Sequence, residues 1–409
     1  MGNTFASAKQ FVGVAREAVQ GTPVAMVGTI PVDKFEPEDK PVWLDDKAIR
    51  GSMVESYGRQ QGVIKADFSM SGPVFGDTLG WLLSNILGDN VYSGGTNAGS
   101  STTTTGALTA GTSNVVPLTS ATGITAGTVL TLDTAGLAEN VTVASVSALN
   151  ATLTAPVTKN HASGVTVQPV TAPFNSAFAT YNGGQGQPAS HTFTHFQGPT
   201  ATTGARQYPG CCLSELTLKW NAESQLFTYD AKGNCWPSVP AGAAPTSAPS
   251  TVTPIPSWRG LLGIGGPASG GTLLKNITDG EIAIKRVLEP VYTTQNAQTP
   301  YVIQRGAVGV SGKLNFVAVD ESPYLAMINN TQPQLQLIVG NGVTGAGQIG
   351  VQVDCQLAAY SAAKYNSGKA AVMYDVTFDA IANTTNAGAS GGYSPTKVTL
   401  TNAVPPQTY

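Results

Sequence analysis

Apolar and polar positions alternate over most of this chain, and the alternation breaks at two short stretches of helical period. Val63 to Met70 and Ala307 to Val319 alternate as strands do. After the first, Asp77 to Leu87 places Leu79, Leu82, Leu83, Ile86 and Leu87 on one helical stripe, with Asp77 in the N-cap position. After the second, Glu321 to Asn330 predicts a short helix with Pro323 in its first turn. Leu216, Leu218 and Trp220 then alternate, turn through Asn221 to Ser224, and return through Phe227 and Tyr229. In the later half, Val351, Val353, Cys355 and Leu357 are expected to pair in the same manner with Met373 through Ile381. Strand, short helix and hairpin thus recur in one order, which argues for an internal duplication.

Two changes of composition divide the chain. Residues 98–172 carry three charged side chains, Asp133, Glu139 and Lys159, among Thr, Val, Ala and Gly. Short β-branched runs at 115–118, 128–132, 141–143 and 151–154, separated by turn residues, predict a small inserted Ig-like β-sandwich entered by a Gly/Ser/Thr linker. Residues 238–256 repeat proline among Ala, Ser and Thr and read as an extended, unpacked linker. The expected organisation is mainly β: a first unit of 1–97 with 173–237, the 98–172 module, the 238–256 linker, and a second unit of 257–409, each unit with its short helix.

Charge sharpens this picture. The 409 residues are only 11% charged with a formal net charge of −3, while Gly numbers 47 and Pro 26. An average soluble domain is about 25% charged. The balance excludes a highly charged disordered chain, a coiled coil and a basic duplex-DNA binder. No run approaches the roughly 18 apolar residues of a membrane span, and Met1 to Ser7 lacks the basic start of a signal peptide. Cys211, Cys212, Cys235 and Cys355 are too sparse for a disulfide scaffold and read as buried thiols.

Catalytic chemistry finds little purchase. His191 and His195 share one face of a strand, but no acid or thiol nearby completes a metal site, and His161 reads as a solvated turn residue. Gly263 to Ala268 follows a proline-rich stretch instead of a strand and reads as a loop rather than a dinucleotide fingerprint. No phosphate-binding loop, nucleophile elbow or calcium loop occurs, so neither an enzyme nor a cofactor is expected.

The densest charge run, Asp33 to Arg50, weaves six acids and four bases around Trp43. Mixed aromatic and ionic composition marks surfaces where subunits meet. Phe35, Glu38, Asp39, Trp43, Asp45, Asp46 and Arg50 are therefore candidate inter-subunit contacts on a loop that is mobile until docking. Arg286, Glu289 and Tyr292 hold the equivalent place in the second unit.

Several segments resemble a known family. Val12 to Ala25, Ile30-Pro31-Val32, Arg50 to Gly58, Tyr208-Pro209-Gly210 running into Leu213 to Lys219, and Ile381 to Gly392 followed by Ser394-Pro395 are similar to major tail tube proteins of bacteriophages with long flexible tails. The similarity spans both units and skips the insertion. It implies two tail-tube-type β-sandwich or barrel units, rings with a wide bore, and stacking into a tube that carries the genome through the virion tail, with assembly in the host cytoplasm. It implies as partners other copies of the chain and the tape-measure, terminator and baseplate proteins, with DNA passing through unbound, no membrane and no catalytic residues. Two units per chain imply three chains in a pseudo-sixfold ring rather than six. A bore through which a polyanion slides is expected to be neutral or acidic. The insertion is expected on the outer wall, where repeated weak contacts with host envelope polymers could add up. The competing class is a secreted or surface β-rich adhesin or carbohydrate-binding protein.

Overall fold

The computed structural model describes residues 7–88, 90–180, 186–197, 204–223, 225–241, 246–265, 271–368, 371–382 and 394–409. Strands dominate, as the alternation predicts. Before the insertion lie β1 (Phe11–Arg16), β2 (Gly28–Ile30), β3 (Lys34–Asp46), β4 (Gly58–Pro73), helix α1 (Leu79–Ile86) and β5 (Asn90–Asn97). The insertion supplies β6 (Thr102–Thr103), β7 (Val115–Pro117), β8 (Val129–Leu132), β9 (Glu139–Ser147) and β10 (Asn150–Leu153), and β11 (Thr166–Phe178) leads out of it. β12 (His191–Phe196), β13 (Ala205–Asn221), β14 (Thr228–Cys235) and β15 (Val239–Pro240) follow. The remainder holds β16 (Leu261–Ile264), β17 (Thr272–Leu274), β18 (Ile277–Val291), β19 (Val302–Val317), α2 (Ser322–Ile328), β20 (Leu335–Gly340), β21 (Gly350–Cys355), β22 (Leu357–Asn366), β23 (Met373–Ile381) and β24 (Lys397–Asn402).

These strands form two twelve-stranded sheets, neither closed into a barrel. The first contains a row of eight in the order β3-β4-β14-β13-β18-β19-β23-β22. β13 is long enough to serve two neighbourhoods: its first half pairs β12 and β15, its second half β14 and β18. The second sheet runs β17-β16-β20-β21-β24-β11 and continues into the insertion through β8, β9, β10 and β7. One apolar cluster lies between the sheets and takes residues from Val12 to Tyr409, whereas Leu108 to Val167 build a cluster of their own.

Helix α1 is the centre of the main core. Every residue from Leu79 to Ile86 is buried, and the apolar stripe read from the sequence faces β13 and Phe178. Burying side chains such as Leu82, Leu83 and Ile86 contributes about 1.5–3 kcal/mol each. Asp77 does not cap the helix: Thr78 holds the N-cap position without a side-chain bond, and Asp77 instead accepts from Ser250 Oγ at 2.7 and 2.9 Å.

Other expectations change with the structure. Residues described within 238–256 are docked rather than unpacked: Ile255 is fully buried, Phe227 N donates to its carbonyl, and Ser250 fastens to Asp77. Val351, Val353 and Cys355 do not pair with Met373 to Ile381; they lie on β21 between β20 and β24, and β22 takes the partner role. Leu261 to Ile264 is a strand, while residues 266–268 of the same glycine-rich stretch, Ser224 and residues 383–392 of the closing run lie outside the described residues. His161 is buried, not solvated, with Nε2 2.7 Å from Glu139 Oε1 and Nδ1 3.1 Å from Asp133 Oδ2. The insertion's acids thus serve its interior.

Candidate functional site

The eight-strand row has one apolar and one polar face. Strand period 2 sends Phe35, Met70, Leu216, Leu218, Ile284 and Leu314 into the core, and their sequence neighbours out to the other side. Lysines on that outer side meet acids on the same or adjoining strands. Lys34 pairs with Glu36 at 2.8 Å, Lys40 with Asp67 at 2.7 Å and Glu38 at 3.1 Å, Lys313 with Glu281 at 3.0 Å, and Lys219 with Asp230. Glu215 receives Lys232 at 2.5 Å and Lys285 at 3.5 Å. Hydrogen bonds from Asp67 and then Glu38 raise the Lys40 pKa, and Asp230 raises that of Lys219, so both stay charged while matched. Exposed pairs of this kind contribute little stability. Their effect is on the field of the face, where each of these lysines has a carboxylate beside it.

Within this row two groups of four strands match position by position. β4 and β14 pair Phe68 with Gly233; β19 and β23 pair Gly312 with Phe378 at the corresponding place. The glycine and the phenylalanine have exchanged strands: a Cβ on Gly312 would come within 2.4 Å of Phe378, and one on Gly233 within 2.0 Å of the Cys212 carbonyl and 2.9 Å of Phe68. Bulges coincide too, at Ser214 on β13 and Ser361 on β22. The register of β3 on β4 shifts between Pro41 and Trp43, and that of β18 on β19 between Arg286 and Leu288. Such irregularities are positional features rather than noise.

The sequence-predicted contact residues take definite places. Asp33 to Arg50 is not a loop: Lys34 to Asp46 form β3, the outermost strand of the row. Phe35 turns inward against Phe68, Phe193, His195 and Tyr208, whereas Trp43 is exposed with the Arg59 guanidinium over its ring. Asp45 accepts from Arg59 and Asp46 pairs with Arg50. Asp39 accepts from Ser238. Between β3 and β4 a tip at residues 47–57 exposes Ile49 and Met53 completely. On β18, Glu289 lies opposite Gln304, and Tyr292 beyond its end donates to the Ile64 carbonyl at 3.2 Å.

Arg286 is buried within the chain. Its Nη1 donates to Ile86 O at 3.2 Å, and Arg305, which the sequence reading passed over, gives Nη1 to Asn85 O at 2.8 Å. Two guanidiniums from the second group therefore satisfy the last carbonyls of α1 and meet the negative end of its dipole. Burial, with Arg305 nearby, lowers the Arg286 pKa to about 10.

His191 and His195 share β12 and are both buried. His191 Nδ1 lies 2.7 Å from Asn85 Nδ2, and burial lowers its pKa to about 3; burial lowers that of His195 to about 4. Among the described residues no group of His, Cys, Asp and Glu is arranged to hold a metal, and no helix is long and apolar enough to cross a membrane. The four cysteines are buried and unpaired.

One buried acid ties together two segments singled out in the sequence. Glu17, from the Val12 to Ala25 stretch, accepts from Gly210 N at 2.8 Å, Gly21 N at 2.9 Å, and the hydroxyls of Ser190 and Thr192 at 2.6 Å. Gly21 and Gly210, at φ of +82° and +64°, both press on Trp236. A side chain at either position would clash, so this text is structural in origin.

The family model for phage tail tube protein matches residues 7–380. The chain belongs to the phage tail tube protein family. No curated protein matches it. The family is a structural one and not an enzyme family, and membership implies a place in the virion tail, self-association into a tube, and other tail proteins as partners.

Proposed function

We propose that this tail tube protein closes into rings of three copies, that the rings stack into the conduit for genome delivery, and that the polar face of the eight-strand row lines the bore. The observation that carries this is the row itself, whose outer strands β3 and β22 each have one strand neighbour among the described residues. Unpaired edges invite further strands, and a closed ring removes both.

Size favours three copies. Eight strands per copy at about 4.8 Å spacing give three copies a circumference near 115 Å and a diameter of roughly 37 Å between backbones, before strand tilt widens it. Two copies would leave roughly 24 Å, too narrow for a duplex once side chains project from both walls. Three chains with two matching groups each present six similar lobes. Paired lysines on the lining let DNA slide without counterion-releasing contacts.

On this reading the chain comprises tandem units, 1–97 with 173–237 and 257–409. The 98–172 module continues from the second sheet, the side away from the bore, and decorates the outer wall. The tip at 47–57, with Ile49 and Met53 bare, reaches the adjacent ring. Tape-measure, terminator and baseplate proteins meet the bore and the tube ends, and assembly takes place in the host cytoplasm.

Negative-stain microscopy of the concentrated protein tests this directly: hollow polymers of constant diameter are expected, and a protein that stays monomeric at high concentration contradicts it. Deleting 98–172 is expected to give thinner, intact tubes. Deleting 47–57 is expected to leave a folded monomer that forms no tubes.

A further inference from the structure

Resting on the ring-forming reading, the internal construction of the row specifies how one copy meets the next. β13 and β22 hold corresponding places, each beyond an equivalent hairpin and each bulged at a serine. β18 and β3 correspond likewise through their register shifts on β19 and β4. Inside the chain, β13 and β18 already pair, antiparallel, with Thr217 opposite Ala283 and Leu218 opposite Ile282. We infer that β22 of one copy pairs with β3 of the next in the register of this internal joint. Carried across by corresponding positions, that register sets Lys364 against Glu38, Ala362 against Lys40, and Tyr365 against Pro37 of the neighbour.

Three observations outside the register support the match. Lys364 is exposed and has no ion-pair partner among the described residues, and the register brings a carboxylate to it on the polar face. A slip of one residue would move it to the opposite face. Tyr365 is 65% exposed whereas its counterpart Leu218 is 0% exposed, as expected of a position waiting for its neighbour strand. Helix α2 exposes Tyr324, Leu325 and Ile328, while α1, beside the internal joint, is wholly buried. β3 also carries Pro37 and Pro41, which lack N–H donors and belong at a sheet edge. An edge so blunted resists indiscriminate pairing and relies on side-chain complementarity for the correct partner.

Charge exchange tests the register. Lys364→Glu and Glu38→Lys, each placing like charges face to face, are expected to lower tube yield at least about tenfold, and the double variant to recover it to within about twofold. Melting curves of the three monomers should coincide with that of the native protein. A double variant as poor as the single ones overturns the register.

A second arm uses Lys364→Cys with Glu38→Cys in one chain, bridged in assembled tubes by oxidation or a short bismaleimide. The native thiols are buried and give little background. Cross-linked products stopping at three copies, absent from the monomer, are expected. Tubes that form without the cross-link overturn the joint, and products running to six copies overturn the three-copy ring. Native protein that forms no tubes under any condition removes the underlying reading instead.

Discussion

Helices α1 and α2 follow equivalent strands and have comparably apolar sequences, Leu-Gly-Trp-Leu-Leu-Ser-Asn-Ile and Ser-Pro-Tyr-Leu-Ala-Met-Ile, yet the first has every residue buried and the second none. The difference lies in what comes next. Beside α1, β18 continues the row after β13, and Arg286 and Arg305 reach across to the helix's last carbonyls. Beside α2 the row ends at β22. Burial of a helix thus follows the neighbour its sheet acquires, and among the described residues the second group leaves Tyr324, Leu325 and Ile328 exposed.

The strongest way to break this comparison is at the arginines. Arg305→Met is expected to lower monomer stability by about 3 kcal/mol, since buried carbonyls lose a charged donor. The corresponding position on β4, Gln61, has no such task, and Gln61→Met should change stability by less than about 0.5 kcal/mol. Chemical denaturation of the monomers measures both. A similar contrast holds along the strands. Leu218→Ala is expected to cost about 2–5 kcal/mol, whereas Tyr365→Ala should leave the monomer unchanged and impair assembly alone.

Acid provides a third handle. The folded-state pKa of His191 lies near 3 against 6.5 for the free side chain, so the unfolded chain binds the proton more readily. Stability contributed by the neutral ring is full above pH 6.5 and declines as pH falls toward 3. At pH 5 the loss is about 2 kcal/mol, with a comparable but smaller one from His195. His191→Gln should reduce the fall in thermal stability between pH 7 and 5 by roughly half, His195 supplying the rest. A smaller effect is expected at Gly312, where Ala would meet Phe378 and the Glu281 carbonyl: about 1–3 kcal/mol, relieved only in part by Phe378→Leu.

Strands and helices were legible in the sequence wherever one side chain in two, or a helical stripe, faced the core: β4, β19 and α1 follow Val63 to Met70, Ala307 onward and the leucine stripe. Partners were less legible, because alternation marks a strand without saying which strand lies beside it. For that reason the alternation of Val351, Val353, Cys355 and Leu357 does not reveal that Leu357 alone, on β22, pairs with Met373 to Ile381, while the other three pair with β20 and β24. Charge misled in three places. β3 resembles a loop because an edge strand with a polar face carries Lys and Glu at alternate positions and tolerates two prolines. His161 and Arg286 looked like surface residues because nothing local shows that Glu139, Asp133 or the end of α1 folds against them.

The central claim is that two matching groups in one chain do the work of two subunits. Averaged cross-sections of assembled tubes test it most directly. Threefold symmetry with six similar lobes around the bore and three chains per ring is expected; strict sixfold symmetry with six chains per ring would overturn the duplication reading.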